Sequence, residues 1–325
     1  MREREDLISR RTVLKIGLGA GAALALDPFT GRNVVLATEV QAAPLHLRAI
    51  PSSGERVPLI GMGTARNYED PTPEQIPPLR DVIRLFPEMG GRVLDTAPGY
   101  GRAEVVVGDL MTELKNRDRY FVATKVSVGG RGGGGAAGPE AAVASLERSL
   151  TRFHTDRLDL MQIWNMSQPD LLLPLLDEWK AAKKIRYTGV TTSSDRQYEP
   201  LEALMRARRF DFIQIDFAID NRNAQERVLP LAQERGFAVL INLPFGRGRP
   251  FQKVQGRPLP GWAKDIDCVD WSQVFLKYIL GHPAVTCVIP GTEKLDYLKL
   301  NLDAGRGRMP DAALRKRIEV DFDAL

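Results

Sequence analysis

Three side chains of types that can hold or transfer a proton stand close together in the chain: Asp95, Tyr100 and Lys125. Asp95 lies near the end of the β-rich run Arg92–Thr96, Tyr100 follows in the next turn, and Lys125 lies near the end of the run Tyr120–Val126. If these runs are neighbouring parallel strands, the three side chains meet at one edge. There the carboxylate would orient the ammonium, and the ammonium would favour phenolate and so lower the pKa of the tyrosine. The pattern predicts a tyrosine that donates a proton to a carbonyl oxygen.

Each of the three residues also has an ordinary structural interpretation. Asp95 could cap the following turn, Tyr100 could pack, and Lys125 could be a solvated strand end. The combination is more specific than any one of them.

The elements that must position these residues alternate along the chain. Eight short β-rich runs are predicted as strands: Leu59–Gly63, Arg92–Thr96, Tyr120–Val126, Leu158–Trp164, Tyr187–Thr191, Phe212–Phe217, Ala238–Leu243 and Thr286–Pro290. The helical segments between them are Pro73–Met89, Ala103–Lys115, Pro139–Phe153, Asp170–Lys183, Gln197–Arg209, Ala224–Arg235 and Trp271–Gly281. A hairpin from Leu45–Ile50 to Val57–Ile60 precedes them.

This alternation predicts the fold class. Several runs are almost continuously apolar, which is typical of parallel strands that are buried on both faces. Eight strand-then-helix units favour a closed α/β (β/α)8 TIM barrel over an open doubly wound sheet. Two loops depart from the repeat, the glycine-rich Gly129–Gly138 and the long Gly246–Val269. The first lacks the GxxxxGK pattern of a phosphate loop, and the second is expected to line a substrate site.

The N-terminal residues resemble a twin-arginine export signal. Arg10 and Arg11 precede a weakly apolar stretch, Ile16–Leu26, that is too short for the roughly 20 residues that span a bilayer. Small residues up to Ala42 fit a cleavage site. We therefore expect residues 1–42 to be a signal, residues 43–325 to be a single barrel domain, the twin-arginine translocase to be a partner, and the protein to be periplasmic or extracellular. An amphipathic first helix that carries two arginines by chance remains the alternative.

Composition excludes several classes of protein and site. The 325 residues are 43% hydrophobic and 26% charged, which is ordinary for a globular protein. The net charge is +4, without a basic stripe interleaved with aromatic residues, so nucleic acid is not an expected partner. Cys268 and Cys287 do not form a CxxC pair and are expected to be small buried residues. His46, His154 and His282 do not form a cluster with metal-ligand spacing, so no metal site is expected.

The motifs around the three proton-transfer residues resemble those of the aldo-keto reductase family. Asp95-Thr96-Ala97, Tyr100-Gly101 and Ala103-Glu104 are similar to the family's DTA-x-x-YG-x-AE block, and Ala123-Thr124-Lys125 is similar to its lysine strand. Further blocks follow in the family's order, and they are Leu158-Asp159-Leu160, Gly189-Val190-Thr191, Gln214, Pro244 and Ile289-Pro290-Gly291-Thr292 with Asn301. The resemblance implies reduction of a small-molecule carbonyl compound by NADPH, with Tyr100 as the proton donor and Asp95 and Lys125 as its catalytic partners.

The same resemblance implies a coenzyme site. Its residues would be Gly63, Thr64, Asp95, Thr191, Thr192, Gln214, Asn242, Pro244, Phe245, Gly291, Thr292, Lys294 and Asn301. For Thr292 and Asn301, a helix N-cap and a solvated helix residue are equally good interpretations.

Several positions depart from the family's pattern. Trp164 stands where the family has a histidine that orients the substrate carbonyl; an indole N–H can donate a hydrogen bond but cannot titrate near neutrality. Asn242 replaces an aromatic residue that stacks on the nicotinamide, and Phe245 is close enough in sequence to take that role. Tyr297 replaces an arginine that pairs with the 2′-phosphate, which leaves Lys294 as the nearest cation.

Two functions therefore stay in view. The first is an oxidoreductase that reduces an aldehyde or ketone with NAD(P)H, with NADPH expected over NADH. The second is a nicotinamide-binding barrel with little turnover that acts as a redox sensor or as a subunit of a complex. A hydrolase is not supported, since no Ser-His-Asp or paired-carboxylate set can be placed at the strand ends. Because coenzyme is not expected to be replenished outside the cytoplasm, an exported enzyme would hold it tightly or act before export.

Overall fold

The computed structural model describes residues 43–126, 128–129 and 138–325, together with two short strands nearer the N-terminus. Those strands, β1 (Leu24–Leu26) and β2 (Asn33–Val35), pair antiparallel within a unit that comprises Met1–Ala43. The twin-arginine pair, the proposed cleavage residues and most of the glycine-rich loop lie outside the described residues. The second unit, Pro44–Leu325, carries all of the predicted chemistry.

The second unit is built on an eight-stranded parallel sheet. Its strands in chain order are β5 (Met62–Gly63), β6 (Val93–Asp95), β7 (Phe121–Val126), β8 (Leu158–Ile163), β9 (Ile185–Thr191), β10 (Phe212–Asp216), β11 (Ala238–Asn242) and β12 (Cys287–Val288). Each strand pairs with the next along the chain. Parallel bridges from Ile60 to Val288 and from Gly63 to Gly291 join the first strand to the last. The predicted (β/α)8 barrel is confirmed.

The barrel interior is apolar at its N-terminal end. Alternate positions along each strand point inward. Phe121, Tyr187 and Phe212, from three different strands, therefore meet inside the barrel, with ring centroids 5.6–6.0 Å apart. The predicted hairpin is present as β3 (Leu47–Ala49) and β4 (Arg56–Pro58). It adds Ile50 and Val57 to the same buried cluster and so covers this end of the barrel.

Helices surround the barrel. They are α1 (Ile76–Glu88), α2 (Ala103–Glu113), α3 (Pro139–Arg152), α4 (Pro169–Ala181), α5 (Tyr198–Ala207), α6 (Val228–Arg235), α7 (Arg249–Lys253), α8 (Trp271–Leu280), α9 (Leu295–Ala304) and α10 (Ala312–Asp323). The periodic residues Ala142, Leu146, Leu150 and Phe153 are all buried, as the spacing in this segment predicts.

Two of these helices, α7 and α10, are absent from the sequence-based prediction, and α9 is implied there only by the helix interpretation of Thr292 and Asn301. The short α7 lies in the loop Gly246–Val269, where glycine and proline obscure any helical period. The helices α9 and α10 follow the last strand; α9 packs beside α8, and Phe322 of α10 meets Phe275 of α8. The loop is also held by α10, because the indole N–H of Trp262 donates to Asp321 at 2.6 Å. The predicted long loop is thus structured and fixed to the C-terminal helix.

Candidate active site

A buried ion pair lies at the C-terminal end of β6 and β7. The Lys125 ammonium donates to both carboxylate oxygens of Asp95, at 2.7 and 2.8 Å, and to the carbonyl oxygen of Thr96 at 2.7 Å. Asp95 is 3% exposed and Lys125 is 1% exposed. Burial raises the pKa of Asp95, and the charge of Lys125 opposes that effect. Burying either charge without the other would cost free energy, so the two residues form one buried ion pair.

Tyr100 lies directly beside this pair. The Lys125 nitrogen is 5.4 Å from the centroid of the Tyr100 ring. The Tyr100 ring meets the Trp164 ring edge-on, with centroids 5.6 Å apart and planes at 89°. The structure therefore brings together the four residues Asp95, Tyr100, Lys125 and Trp164, as the sequence predicts.

The segment that presents Trp164 has an unusual backbone. Trp164 opens a 3-10 turn directly after β8. Asn165, Met166 and Gln168 all have positive φ, at 50°, 56° and 44°. Left-handed conformations at three residues other than glycine are costly and tend to occur at functional sites.

A polar network extends the ion pair across the barrel. The Gln162 side-chain amide donates to the Gln214 Oε1 atom at 2.8 Å. Gln214 in turn directs its amide nitrogen at an oxygen of Asp95, 3.5 Å away. Gln162 is fully buried and is not among the predicted site residues. The signal that could have found it is the inward alternation Leu160, Gln162, Trp164 along one strand.

Two of the predicted coenzyme residues, Thr191 and Thr192, are buried at the end of β9. The Thr191 hydroxyl accepts from the Asn165 backbone N–H at 3.0 Å. The Thr192 hydroxyl donates to Gln197 Oε1 at 2.6 Å. The backbone carbonyl oxygen of Thr192 accepts from the Asn242 side-chain amide at 3.0 Å. These threonines therefore fix the loops around the site as well as lying beside it.

A second group of predicted residues lines a cavity of about 450 Å³ beside the last strand. Phe245, Gly291 and Asn301 form part of its wall, together with Tyr297, which is not among the predicted coenzyme residues. Pro244 is buried next to Phe245. The cavity lies between the loop that follows β11 and the helix α9, at the same end of the barrel as Asp95.

Thr292 and Asn301 are paired with each other. The Asn301 amide donates to the Thr292 hydroxyl at 3.1 Å, and both side chains are buried. The alternative interpretation of these residues is wrong, because Lys294 is the N-cap of α9 and Asn301 is not solvated. The Lys294 nitrogen lies 5.5 Å from the centroid of the Tyr297 ring, and Tyr297 lines the cavity.

Gly63 and Thr64 hold the barrel closed near the site. A Cβ atom on Gly63 would lie 3.0 Å from the Ile289 carbonyl oxygen, so glycine allows the close approach of the first and last strands. The Thr64 hydroxyl donates to the Asp95 carbonyl oxygen at 3.1 Å and is buried.

The site has the groups that a nicotinamide coenzyme requires. Within the described part of the chain, the buried acceptors Gln162 Oε1, Asn242 Oδ1 and Thr96 Oγ1 have no hydrogen-bond partner. The unpaired Asn242 Oδ1 atom at the end of β11 suits the carboxamide of a nicotinamide, and the neighbouring cavity is large enough for an adenosine moiety. Gln214, Thr191, Thr192 and Asn242 would hold the first part, and Phe245, Gly291 and Asn301 would line the site of the second.

Two motif residues have structural roles. Glu104 is buried and accepts from Thr124 at 2.6 Å, from Ser149 at 2.9 Å and from Arg152 at 2.9 Å. Asp159 accepts from the Val122 backbone N–H and from Arg186, both at 2.8 Å. Both carboxylates fasten neighbouring elements of the barrel.

Both cysteines are buried, as expected. Burial raises the pKa of the Cys268 thiol to about 12. Among the described residues, histidine, cysteine, aspartate and glutamate form no group of three that could hold a metal ion. None of the helices in the described part of the chain is long and apolar enough to cross a membrane.

Comparison with known proteins agrees with this geometry. A sequence profile described as "Aldo/keto reductase family" matches residues 59–316. The Bacillus subtilis aldo-keto reductase YhdN is 31% identical over 179 residues, which are 52% of this chain and 52% of that protein. The chain thus matches about half the length of that relative. The uncharacterized oxidoreductase YqkF of the same organism is 27% identical over 255 residues, 68% of this chain and 80% of the relative.

Solved structures share the fold. An aldo-keto reductase from Bacillus halodurans in its holo form has a TM-score of 0.69 at 24% identity, over 85% of this chain and 96% of that chain. An aldo-keto reductase from Klebsiella pneumoniae in complex with NADPH has a TM-score of 0.69 at 22% identity, over 86% of this chain and 95% of that chain.

Proposed function

The chain belongs to the aldo/keto reductase family, and from this premise we propose that it reduces an aldehyde or ketone with a nicotinamide coenzyme. The observation that carries the proposal is the buried Asp95–Lys125 pair, with Tyr100 directly beside the lysine nitrogen. A buried ion pair costs desolvation energy, so a barrel without catalysis would have no need to hold one beside a tyrosine ring.

The reaction needs a hydride for the carbonyl carbon and a proton for its oxygen, and the coenzyme supplies the hydride when it is bound. Tyr100 donates the proton from its hydroxyl group. The Lys125 charge stabilises the negative charge that develops on the Tyr100 oxygen, and Asp95 holds Lys125 in position. The three residues form one unit, so removing any of them stops the same step.

Trp164 orients the substrate rather than supplying a proton. Its ring packs edge-on against Tyr100, and its indole N–H can donate one hydrogen bond to a carbonyl oxygen. The side chain therefore narrows the approach to Tyr100 without adding a titratable group.

The test is Tyr100→Phe, which removes the proton donor and keeps the ring contact with Trp164. We expect kcat with a reactive aldehyde to fall at least about a hundredfold while the Kd for NADPH changes by less than about twofold. Tyr187→Phe, the same substitution in the apolar cluster at the opposite end of the barrel, is the control and should leave both quantities unchanged. If wild-type protein binds coenzyme but Tyr100→Phe leaves a slow turnover unchanged, the alternative stands: a coenzyme-binding barrel that acts as a sensor or subunit.

We propose further that NADPH is preferred over NADH. Lys294 supports this preference, because its ammonium lies 5.5 Å from the ring centroid of Tyr297, a residue of the cavity wall, and a cation there could pair with a 2′-phosphate. We expect Lys294→Ala to weaken NADPH binding about five- to tenfold and to leave NADH binding unchanged. Equal wild-type Kd values for the two coenzymes would contradict the preference. A relative 27% identical over 204 residues is named NADH-specific methylglyoxal reductase, so the ratio must be measured.

We also propose that residues 1–42 direct export by the twin-arginine translocase and leave a mature domain of residues 43–325. The order of Arg10-Arg11, the apolar stretch and the small residues up to Ala42 supports this proposal. Replacing both arginines with lysine should move the protein from the periplasmic to the cytoplasmic fraction. N-terminal sequencing of the exported protein should begin at Ala43, and mass spectrometry of it should find tightly held coenzyme. A full-length protein that stays in the cytoplasm would contradict export.

A further inference from the structure

Gln162 and Gln214 contact each other across a strand that lies between them. The strands β8, β9 and β10 are neighbours in that order, with Gln162 on the first and Gln214 on the third. Their side chains nevertheless meet, since the Gln162 amide nitrogen lies 2.8 Å from Gln214 Oε1. Both are buried, at 0% and 2% exposure, so neither can exchange this partner for bulk water.

Gly189 on β9 provides the space for this contact. It pairs with Gln162 on one side and with Phe212 on the other. A Cβ atom at Gly189 would lie 3.0 Å from the Gln162 Cγ atom and 3.0 Å from the Phe212 carbonyl oxygen. Any other residue would push against the Gln162 side chain or the neighbouring strand. The absence of a side chain at Gly189 is therefore what lets Gln162 reach over β9.

The contact fixes which end of the Gln214 amide faces which neighbour. Its oxygen accepts from Gln162, so its nitrogen is directed at Asp95 Oδ2, 3.5 Å away. The reverse orientation would set the amide oxygen against a carboxylate and the amide nitrogen against another donor. Gln162 on one side and Asp95 on the other thus hold a single orientation, deep in the barrel where an unpaired polar group is costly.

From these contacts we propose that Gln162 is a positioning residue for coenzyme binding, acting through Gln214, and that Gly189 is the gap that permits it. This role rests on the proposed function. A carboxamide presents a donor and an acceptor, so an amide partner fixes its orientation only if that partner cannot rotate. Gln162 holds the Gln214 side chain in one orientation before the coenzyme binds. The nicotinamide end then binds more tightly, because the Gln214 side chain loses less conformational entropy on binding.

The test compares whole coenzyme with a fragment that lacks nicotinamide. Gln162→Met keeps a side chain of similar length but cannot donate to Gln214. We expect the Kd for NADPH to rise roughly tenfold, while the Kd for 2′-phospho-ADP-ribose stays within about twofold of the wild-type value. Fluorescence and calorimetric titrations measure both without turnover. Equal weakening of the two ligands would show general damage to the barrel and would overturn the role, as would unchanged NADPH binding.

Gly189→Ala tests the same inference from the neighbouring strand. Its methyl group should displace Gln162 and reproduce the selective loss of NADPH affinity, even if Gln162→Met folds poorly. The outcome also separates this role from the proposed function. Wild-type protein that binds neither NADPH nor NADH would overturn both, whereas normal wild-type binding with unaffected variants would overturn only the role of Gln162 and Gly189.

Discussion

Lys125 supplies the positive charge beside the buried Asp95 carboxylate, and its contribution can be measured as stability. Replacing Lys125 with methionine would leave a buried carboxylate without its cation. We expect Lys125→Met to lower the free energy of unfolding by about 3–5 kcal/mol near neutral pH. The double variant Asp95→Asn, Lys125→Met removes both charges and should recover part of that loss. Urea denaturation of the wild type, both single variants and the double variant measures the coupling, and additive losses would contradict it.

The residues of the site were predictable to different degrees. Asp95, Tyr100 and Lys125 could be placed together because the ends of neighbouring parallel strands meet at one edge. Alternation along β8 places Gln162 in the interior, but its contact with Gln214 could not be predicted, because that contact crosses β9 and needs both the register and the empty position at Gly189. The pairing of Asn301 with Thr292 was equally hidden, since it joins a helix to a loop. Contacts between residues at the ends of neighbouring strands can be predicted from the sequence. Contacts that cross a strand, or that join a helix to a loop, need the structure.

At the scale of elements, α2 and α3 approach too closely for a side chain at Gly108. A Cβ atom there would lie 1.8 Å from the Arg152 carbonyl oxygen. Alanine usually stabilises a helix by about 1 kcal/mol relative to glycine, but here the backbones would have to separate. We expect Gly108→Ala to destabilise the protein by about 1–3 kcal/mol, and Thr112→Ala, at an exposed position of the same helix, to change stability by less than about 1 kcal/mol. Thermal denaturation of both variants measures the sign, and a stabilised Gly108→Ala would contradict the contact.

The strands and most helices of the barrel were predictable because their apolar periods are strong. The short α7 was not, because glycine and proline break its apolar period. The residue before it, Gly248, has a φ of 94°, which the sequence does not specify. That helix carries Phe251, which packs on Phe245 with ring centroids 5.1 Å apart. Phe251 in turn meets Phe275 of α8 at 5.3 Å. The shape of the cavity beside Phe245 therefore depends on an aromatic cluster that the linear sequence does not reveal.

In the second unit, Pro44–Leu325, the polar residues of the site and the apolar residues that close the barrel lie at opposite ends of the strands. The polar network occupies the C-terminal end of the strands, and the hairpin covers the opposite end with apolar side chains. Arg48 of the hairpin extends this cover outward, because its guanidinium donates to the carbonyl oxygens of His282 at 3.1 Å and Leu280 at 3.3 Å. These carbonyls lie at the end of α8, where a helix leaves acceptors unpaired. The hairpin, α8 and the segment between α8 and β12 thus form one stabilising unit.

His282 makes that unit sensitive to acid. Burial, followed by the charges of Arg315 and Arg48, lowers its pKa from 6.5 to about 4. Above pH 6.5 neither the folded nor the unfolded chain protonates this residue, so it costs nothing. Between pH 6.5 and 4 the unfolded chain binds the proton and the folded chain does not, so stability falls as the pH falls and levels off below 4.

We expect this one residue to remove on the order of 1–2 kcal/mol between pH 7 and pH 4, allowing for its partial exposure. Its Nδ1 atom accepts from the Ala284 backbone N–H at 3.2 Å, an acceptor that asparagine can replace without titrating. His282→Asn should therefore keep most of the stability at pH 7 and lose less of it on acidification. His154→Asn, the same substitution at an exposed histidine, is the matched control. Urea midpoints that fall equally for wild type and His282→Asn would show that the acid sensitivity arises elsewhere in the molecule.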